Sequence, residues 1–290
     1  MSRLTHFKEY LIEKLILISG FVCILFILLI FLFLFKEAVS VFKSVRLSGF
    51  LLGKNWYPIS EPTQLGILPL ILGSAIVTIG AAVISIPIGV ACAIYIAEIA
   101  HNKIKGILKS CIELLAAIPS VVLGFIGMIT IVPFVKTVFK LPTGLTALSG
   151  SIMLAFMAMP TIVSIAEDAL YSIPKSYKEG AFALGATHWQ TIRRVMLPAA
   201  SSGIVAAVML GLGRVIGETM AVMMITGNSA IIPRSIFQPV RTLTATIAAE
   251  MGEAVSGSEH YYALFAIGIV LFVISFFINI TADIFLHRKK

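Results

Sequence analysis

The feature that most constrains this chain is an uninterrupted apolar run at residues 15–35, which contains no charged side chain. A membrane-spanning helix needs about 20 mostly apolar residues, so this run is long enough to cross a bilayer. It is too long for the core of a signal peptide, and no small-residue cleavage site follows it. We therefore expect a retained transmembrane anchor that ends at Lys36 and Glu37.

The composition of the whole chain also indicates a membrane protein. Hydrophobic residues make up 59% and charged residues only 12%, whereas soluble domains are about a quarter charged. The net charge of +8 is better explained by basic anchors beside the spans than by nucleic-acid binding. The cysteines and histidines show no paired ligand spacing, so we expect neither a disulfide framework nor a metal site.

We predict an all-α integral membrane protein with six transmembrane helices. Residues 1–14 would be a cytoplasmic N-terminus, residues 36–64 an external segment, residues 65–286 the main membrane domain, and residues 287–290 a cytoplasmic tail. More lysines and arginines fall on the side of the termini, which places both termini in the cytoplasm. After the first span, the predicted spans cover residues 65–96, 112–135, 145–165, 199–225 and 261–286.

The predicted cytoplasmic loop at residues 174–198 has more internal pattern than a connector needs. Two pairs of residues have the spacing of a capping box, which predicts two helix starts. A glycine between them would end the first helix in the left-handed conformation. The loop is then either an amphipathic hairpin on the membrane surface or a docking element for a cytoplasmic partner. The pairs are Ser176 with Glu179 and Thr187 with Gln190, and the glycine is Gly185.

The fifth predicted span contains two charged residues, Arg214 and Glu218. A charge at the bilayer centre costs about 2.5–3.5 kcal/mol on insertion scales, so each must face a cavity, a partner or the other. Residues four apart share one helical face, which allows an intrahelical ion pair. Alternatively, Arg214 contacts an anionic substrate, because its planar guanidinium matches oxyanions. Gly213 and Gly217 would let another helix approach closely.

The predicted outer loop between spans five and six carries threonines followed by two acidic residues. Thr242 and Thr244 precede a predicted short helix that ends near Gly257, with Glu250 and Glu253 on one side of it. This segment is either a solvated lid helix or a gate and docking surface for an external binding protein. Since carboxylates repel a free anion, we assign the two glutamates to gating or docking rather than to anion binding.

The cytoplasmic loop resembles the EAA loop of binding-protein-dependent ABC importer permeases, with the pattern E-A-A-x3-G-x9-I-x-L-P. The resemblance implies the type I (MetI-like) permease fold. It also implies that this loop is the coupling helix, which seats in a groove of a separate ATPase. The matching residues are Glu179, Gly180, Ala181, Gly185, Val195, Leu197 and Pro198, of which Gly180 and Val195 depart mildly from the pattern.

Residues 118–125, 213–221 and 242–254 resemble the PstC-type permeases of phosphate ABC importers. The resemblance implies that Arg214 and Glu218 take part in phosphate passage. It also implies a bacterial inner-membrane complex with a PstA-like sister permease, two ATP-binding subunits and an external phosphate-binding protein.

Within the segments that carry this resemblance, Ser120 and Thr219 are further predicted pathway residues. Ser120 follows Pro119, which we expect to kink the third span. The serine hydroxyl either lines the passage or belongs to a plain packing kink.

Three other functions are weighed against this one. A permease for sulfate or molybdate stays open, because one arginine does not separate oxyanions. A self-contained secondary transporter would need inverted repeats, which are not visible. An intramembrane enzyme would need a catalytic motif such as HExxH, and none lies in the spans. The chain lacks a G-x-x-x-x-G-K-[ST] motif, so we expect it to hold no cofactor, and the partner ATPase to bind ATP and magnesium.

Overall fold

The computed structural model describes residues 3–287, with side chains omitted for residues 3–8, 102, 282–283 and 285–287. Of the predicted tail at residues 287–290, residues 288–290 therefore lie outside the described residues. The described chain is mostly helical, with one two-stranded antiparallel sheet and irregular segments such as residues 226–242. Five helices are long and apolar enough to cross a membrane, and one bent helix pair can supply a sixth. The predicted all-α membrane fold is confirmed.

The elements follow the chain in this order. The helices are α1 (Arg3–Val39), α2 (Leu47–Leu52), α3 (Leu68–Ile94), α4 (Asn102–Ala117), α5 (Ser120–Val138), α6 (Ala147–Tyr171), α7 (Lys175–Ala183), α8 (His188–Thr191), α9 (Leu197–Ala199), α10 (Ser201–Gly217), α11 (Met220–Ile225), α12 (Leu243–Glu250) and α13 (Glu259–His287). The strands are β1 (Trp56–Tyr57) and β2 (Gln64–Leu65), a 3-10 turn covers Ser40–Lys43, and π-helical turns cover Tyr95–Ile99 and Ile192–Met196.

The first helix, α1, extends the predicted anchor at both ends. Between residues 15 and 35 it carries no charged side chain, and most of its side chains there are exposed, as expected for a helix surrounded by lipid or by partner helices. Near its C-terminal end it packs on α13 through aromatic side chains. The ring centroids of Phe31 and Phe272 lie 5.1 Å apart, and those of Phe33 and Phe265 lie 5.6 Å apart.

The centre of the fold is α6, which packs between α3 and α10. Ile162 of α6 is fully buried and touches a glycine on each neighbouring helix. A Cβ atom on Gly89 would lie 2.9 Å from Cγ2 of Ile162, and one on Gly211 would lie 2.5 Å from its Cγ1. The two glycines therefore let the three backbones approach closely, as small residues do between membrane helices.

The third predicted span, residues 112–135, begins later than expected. The helical path breaks at Ile118 and Pro119, which both have extended backbone, and α5 starts at Ser120. A proline disfavours helical conformation in the residue before it, which explains the break. Consequently α4 is a separate helix, and Ser120 is the first residue of α5 rather than part of a kink inside a span.

The fifth predicted span, residues 199–225, is not one continuous helix. The segment His188–Ala199 bends by 70° into α10, and α10 ends at Gly217. Glu218 then has extended backbone before α11 begins at Met220. The break is stabilised locally, because the backbone N–H of Ala221 donates a hydrogen bond to Oε1 of Glu218 at 3.1 Å.

Candidate functional site

The loop at residues 174–198 consists of two short helices, as predicted, but only one of the two capping boxes forms. Helix α7 begins directly after Pro174, so Ser176 lies inside it and gives no side-chain cap. That capping box is wrong, because the proline takes the cap position. The second box is confirmed: the N–H of Gln190 donates to Oγ1 of Thr187 at 3.3 Å, and the N–H of Thr187 donates to Oε1 of Gln190 at 2.9 Å.

The hinge of the loop is the predicted glycine. Gly185 has a φ of +80°, in the left-handed region. Beside it Leu184 is 91% exposed, so the turn projects an apolar side chain away from the rest of the chain. Ala181 is buried against the protein, whereas Glu179, Gly180 and Pro198 are exposed. Leu197 is half-buried and packs in a small apolar cluster with Leu170, Met196 and Ala200.

Ion pairs tie this end of the molecule together, and sequence reasoning missed them by counting the lysines only as topology anchors. Nζ of Lys178 in α7 lies 2.7 Å from Oε1 of Glu98. Nζ of Lys105 and Nζ of Lys109 in α4 lie 3.3 Å and 3.1 Å from the carboxylate of Glu167 in α6. The hydrogen bond with Glu167 raises the pKa of Lys109 above its ordinary value.

The intrahelical ion pair between Arg214 and Glu218, one of the two alternatives left open by the sequence, does not form. Because the helix ends at Gly217, Glu218 does not share the helical face of Arg214, and its carboxylate caps α11 instead. The half-buried Arg214 has its Nη1 3.4 Å from Oγ1 of Thr161 in α6. Among the described residues, no carboxylate pairs with Arg214. Thr161 follows Pro160 inside a span and was overlooked in the sequence.

Two glycines leave the side of α10 near Arg214 open. A Cβ atom on Gly213 or Gly217 would meet nothing within 4 Å. The predicted close approach of another helix is therefore not made within the described part of this chain. The open strip continues to Leu210, which is 57% exposed.

The remaining predicted pathway residues lie around the break or at the start of α5. The hydroxyl of Thr219 donates to the carbonyl oxygen of Gly217 at 3.1 Å. The hydroxyl of Thr244 donates to the carbonyl oxygen of Glu218 at 2.8 Å, which ties the outer helix α12 to the break. Ser120 is half-buried, and no hydrogen bond joins it to Arg214 in the described region.

The outer loop forms a compact cluster around Glu250. Nε1 of Trp56 donates to both carboxylate oxygens, at 3.0 Å and 3.2 Å, and Nε2 of His260 lies 2.8 Å from Oε2. Arg241 pairs with the same carboxylate, and its Nε donates to Oδ1 of Asn228 at 2.8 Å. These residues line a cavity of about 660 Å³. Trp56 is far from Glu250 in sequence, so no local pattern could predict the contact.

The two outer glutamates therefore have different surroundings. Glu250 is held by several partners, whereas Glu253 is exposed at the edge of the cavity. The predicted helix is shorter than expected, since α12 ends at Glu250, although Gly257 does turn in the left-handed region with a φ of +85°. Thr242 caps α12, because the N–H of Ala245 donates to its Oγ1 at 3.2 Å.

The fold combines apolar helices long enough to span a membrane with a two-helix loop at residues 174–198 and a charge inside a broken span. The family model described as "Binding-protein-dependent transport system inner membrane component" matches residues 85–290, and the chain belongs to this family. It is a multi-pass membrane permease of an ABC importer.

Its relatives include named phosphate permeases. The "Phosphate transport system permease protein PstC" of Haemophilus influenzae is 35% identical over 291 residues, covering 92% of this chain and 91% of that protein. The "Probable ABC transporter permease protein YqgH" of Bacillus subtilis is 45% identical over 241 residues, covering 83% of this chain and 78% of that protein. The resemblance to PstC-type permeases is confirmed.

Solved structures confirm the fold. A chain of the inward-facing MetNI methionine ABC transporter matches with a TM-score of 0.58 at 21% identity, covering 80% of this chain and all (100%) of that chain. A chain of the bacterial alginate ABC transporter matches with a TM-score of 0.65 at 14% identity, covering 97% of this chain and 95% of that chain. The type I, MetI-like permease fold is therefore established.

Proposed function

We propose that this chain is the permease subunit of an ATP-driven importer of inorganic phosphate and forms half of the translocation pathway. The observation that carries the proposal is Arg214, a permanently charged guanidinium with no carboxylate partner among the described residues. A charge within a membrane-embedded helix is expensive unless something compensates it. A passing oxyanion supplies that compensation. The similarity to the PstC protein of Haemophilus influenzae supports phosphate as the anion.

The residues around Arg214 have separate roles in this proposal. Glu218 keeps the helix broken by capping α11, so that Arg214 lies at the end of α10 and not inside a longer helix. Thr219, at the break, supplies a hydroxyl to the pathway, and Ser120 supplies one at the start of α5. Thr242 and Thr244 belong to the outer gate, because Thr244 holds the backbone of the break.

The proposed complex contains several partners. A PstA-like sister permease covers the open glycine strip on α10 and completes the pathway. Two ATP-binding subunits, which bind ATP and magnesium, dock on the loop around Gly185. An external phosphate-binding protein docks over Glu250 and Glu253. This arrangement puts both termini in the cytoplasm and the chain in the bacterial inner membrane.

Uptake of radiolabelled phosphate tests the role of Arg214. Losing charge-assisted hydrogen bonds to the anion should cost about 2.7 kcal/mol, so Arg214→Gln should lower uptake about hundredfold. Arg234→Gln is the matched control, because Arg234 is exposed in the outer loop and its side chain forms no hydrogen bond or ion pair among the described residues. Both variants should insert and assemble normally.

Normal uptake by Arg214→Gln would refute the pathway role. Competition with unlabelled sulfate and molybdate separates the remaining alternatives, since a phosphate importer should resist both. Glu218→Gln should be milder than Arg214→Gln, because an amide oxygen can still accept the N–H of Ala221.

A further inference from the structure

Two π-helical turns, which are rare and occur most often at functional sites, flank the cytoplasmic loop. One is Ile192–Met196, which continues α8 within the loop itself. The other is Tyr95–Ile99, which ends α3 far earlier in the sequence. The loop therefore lies beside two π-helical turns. The turn at Ile192–Met196 continues the loop, whereas the turn at Tyr95–Ile99 belongs to the end of α3.

The contact between the loop and α3 is an ion pair. Nζ of Lys178, in α7, lies 2.7 Å from Oε1 of Glu98, in the π-helical turn. The side chain of Glu98 is only 3% exposed, whereas that of Lys178 is 34% exposed. A buried carboxylate that loses its cation is strongly destabilised, so Glu98 should follow Lys178 when α7 moves.

The Lys178–Glu98 ion pair lies beside both packed apolar side chains and a cavity. Ile94 and Ala97 of the α3 end pack against the apolar cluster around Leu170. A cavity of about 140 Å³ lies beside Glu98 and Lys178 and is also lined by Lys175. Lys175 forms no ion pair among the described residues. Lys175 and Lys178 therefore both lie on α7 and line the cavity, but of the two only Lys178 forms an ion pair among the described residues.

Helix α3 leads from this ion pair to the proposed pathway. Gly89 of α3 packs against Ile162 of α6, and the neighbouring Thr161 receives the hydrogen bond from Arg214. A shift of α3 along its axis would therefore displace Ile162, which is next in sequence to Thr161, the hydrogen-bond partner of Arg214. Spatial continuity alone is not coupling, so the link must be measured.

We propose that the Lys178–Glu98 ion pair is a second mechanical link of the coupling loop and transmits its movement to α3. The first link is the covalent continuation of the loop into α10. Both residues are positioning residues, since neither touches substrate or ATP. The inference rests on the proposed docking of an ATPase at this loop.

The test uses the complete complex in proteoliposomes and measures ATP hydrolysed per phosphate transported. Glu98→Gln and Lys178→Gln should keep the ATPase bound and hydrolysing while uptake falls about tenfold, so that the ratio rises about tenfold. The double variant should be no worse than either single variant, because both remove the same contact. Lys175→Gln is the matched control and should behave as the wild type.

Lys178→Arg should show the wild-type ratio, because arginine keeps the positive charge that pairs with Glu98. A role of Lys178 in packing alone would not depend on that charge. An unchanged ratio in Lys178→Gln would overturn the proposal, and so would loss of the ATPase from that complex. Lys178 is half-exposed, so this variant remains informative even where Glu98→Gln fails to fold. A wild-type complex that hydrolyses ATP but takes up no phosphate would instead refute the proposed substrate.

Discussion

The outer cluster gives the sharpest prediction of stability, because one carboxylate holds three separate segments. Glu250 joins Trp56 of the external hairpin, Arg241 of the preceding loop and His260 at the start of α13. Replacing Glu250 with alanine removes the shared acceptor without changing the α12 backbone. We expect the hairpin of β1 and β2 to open far more often.

The size of the destabilisation follows from the burial of the Trp56 and Arg241 side chains. Trp56 is 2% exposed, so its indole N–H would be left without an acceptor at a cost of about 1–3 kcal/mol. The Arg241 side chain is 19% exposed, and its lost charge-assisted bond is worth about 1.5–3 kcal/mol. The two contributions share one acceptor and do not add fully. We therefore expect Glu250→Ala to destabilise the closed hairpin by about 3 kcal/mol, which raises the equilibrium constant for its opening about 150-fold.

Hydrogen exchange measured by mass spectrometry reports that equilibrium directly. The relevant amides are those of the hairpin and its exit, where the N–H of Gly66 donates to the carbonyl of Asn55 at 2.9 Å. In Glu250→Ala they should exchange about 150-fold faster, and Glu250→Gln should fall between. Glu253→Ala is the control and should match the wild type. Unchanged hairpin exchange in Glu250→Ala would show that the cluster does not hold the hairpin.

Two further predictions concern glycines. Gly185 has a φ of +80° with open space around it, so Gly185→Leu strains the backbone by about 1–2 kcal/mol. It should lower co-purification of the ATPase about tenfold, while Gly180→Ala should not. Full retention in Gly185→Leu would count against docking. A Cβ atom on Gly73 would lie 2.4 Å from the carbonyl oxygen of Arg241, so Gly73→Ala should lower the yield of folded protein. Gly213→Ala should leave that yield unchanged and weaken only assembly with a partner permease, which size-exclusion chromatography can measure.

Local sequence signals predicted the loop at residues 174–198 well, because the interactions that shape it act over a few residues. The capping box of Thr187 and Gln190 needs only a side chain and a backbone three positions apart, and it forms as expected. The left-handed turn at Gly185 needs only a missing Cβ. Ser176 failed for an equally local reason, since Pro174 starts the helix first.

The broken helix could not be predicted from spacing alone. Arg214 and Glu218 have the spacing of a helical ion pair, and that pattern is equally compatible with a helix that ends between them. The deciding contacts come from elsewhere. Thr244 reaches the carbonyl of Glu218 from a later helix, and Thr161 reaches Arg214 from an earlier one. Each depends on how helices pack, which no local pattern records.

The distribution of ion pairs gives a physical reason why Arg214 has no carboxylate partner among the described residues. At the end of the molecule that carries the loop at residues 174–198, Glu98 and Glu167 are paired, and at the opposite end Glu250 is paired. Paired charges fix segments in place, because separating them leaves a buried charge uncompensated. Arg214 lies near the end of α10, and among the described residues its side chain is held by one long hydrogen bond, to the hydroxyl of Thr161. A guanidinium held that weakly can exchange its partner for an anion without breaking an ion pair. In the proposed pathway, an Arg214 paired with Glu218 would require each anion to displace a carboxylate first, and the break in the helix avoids that step.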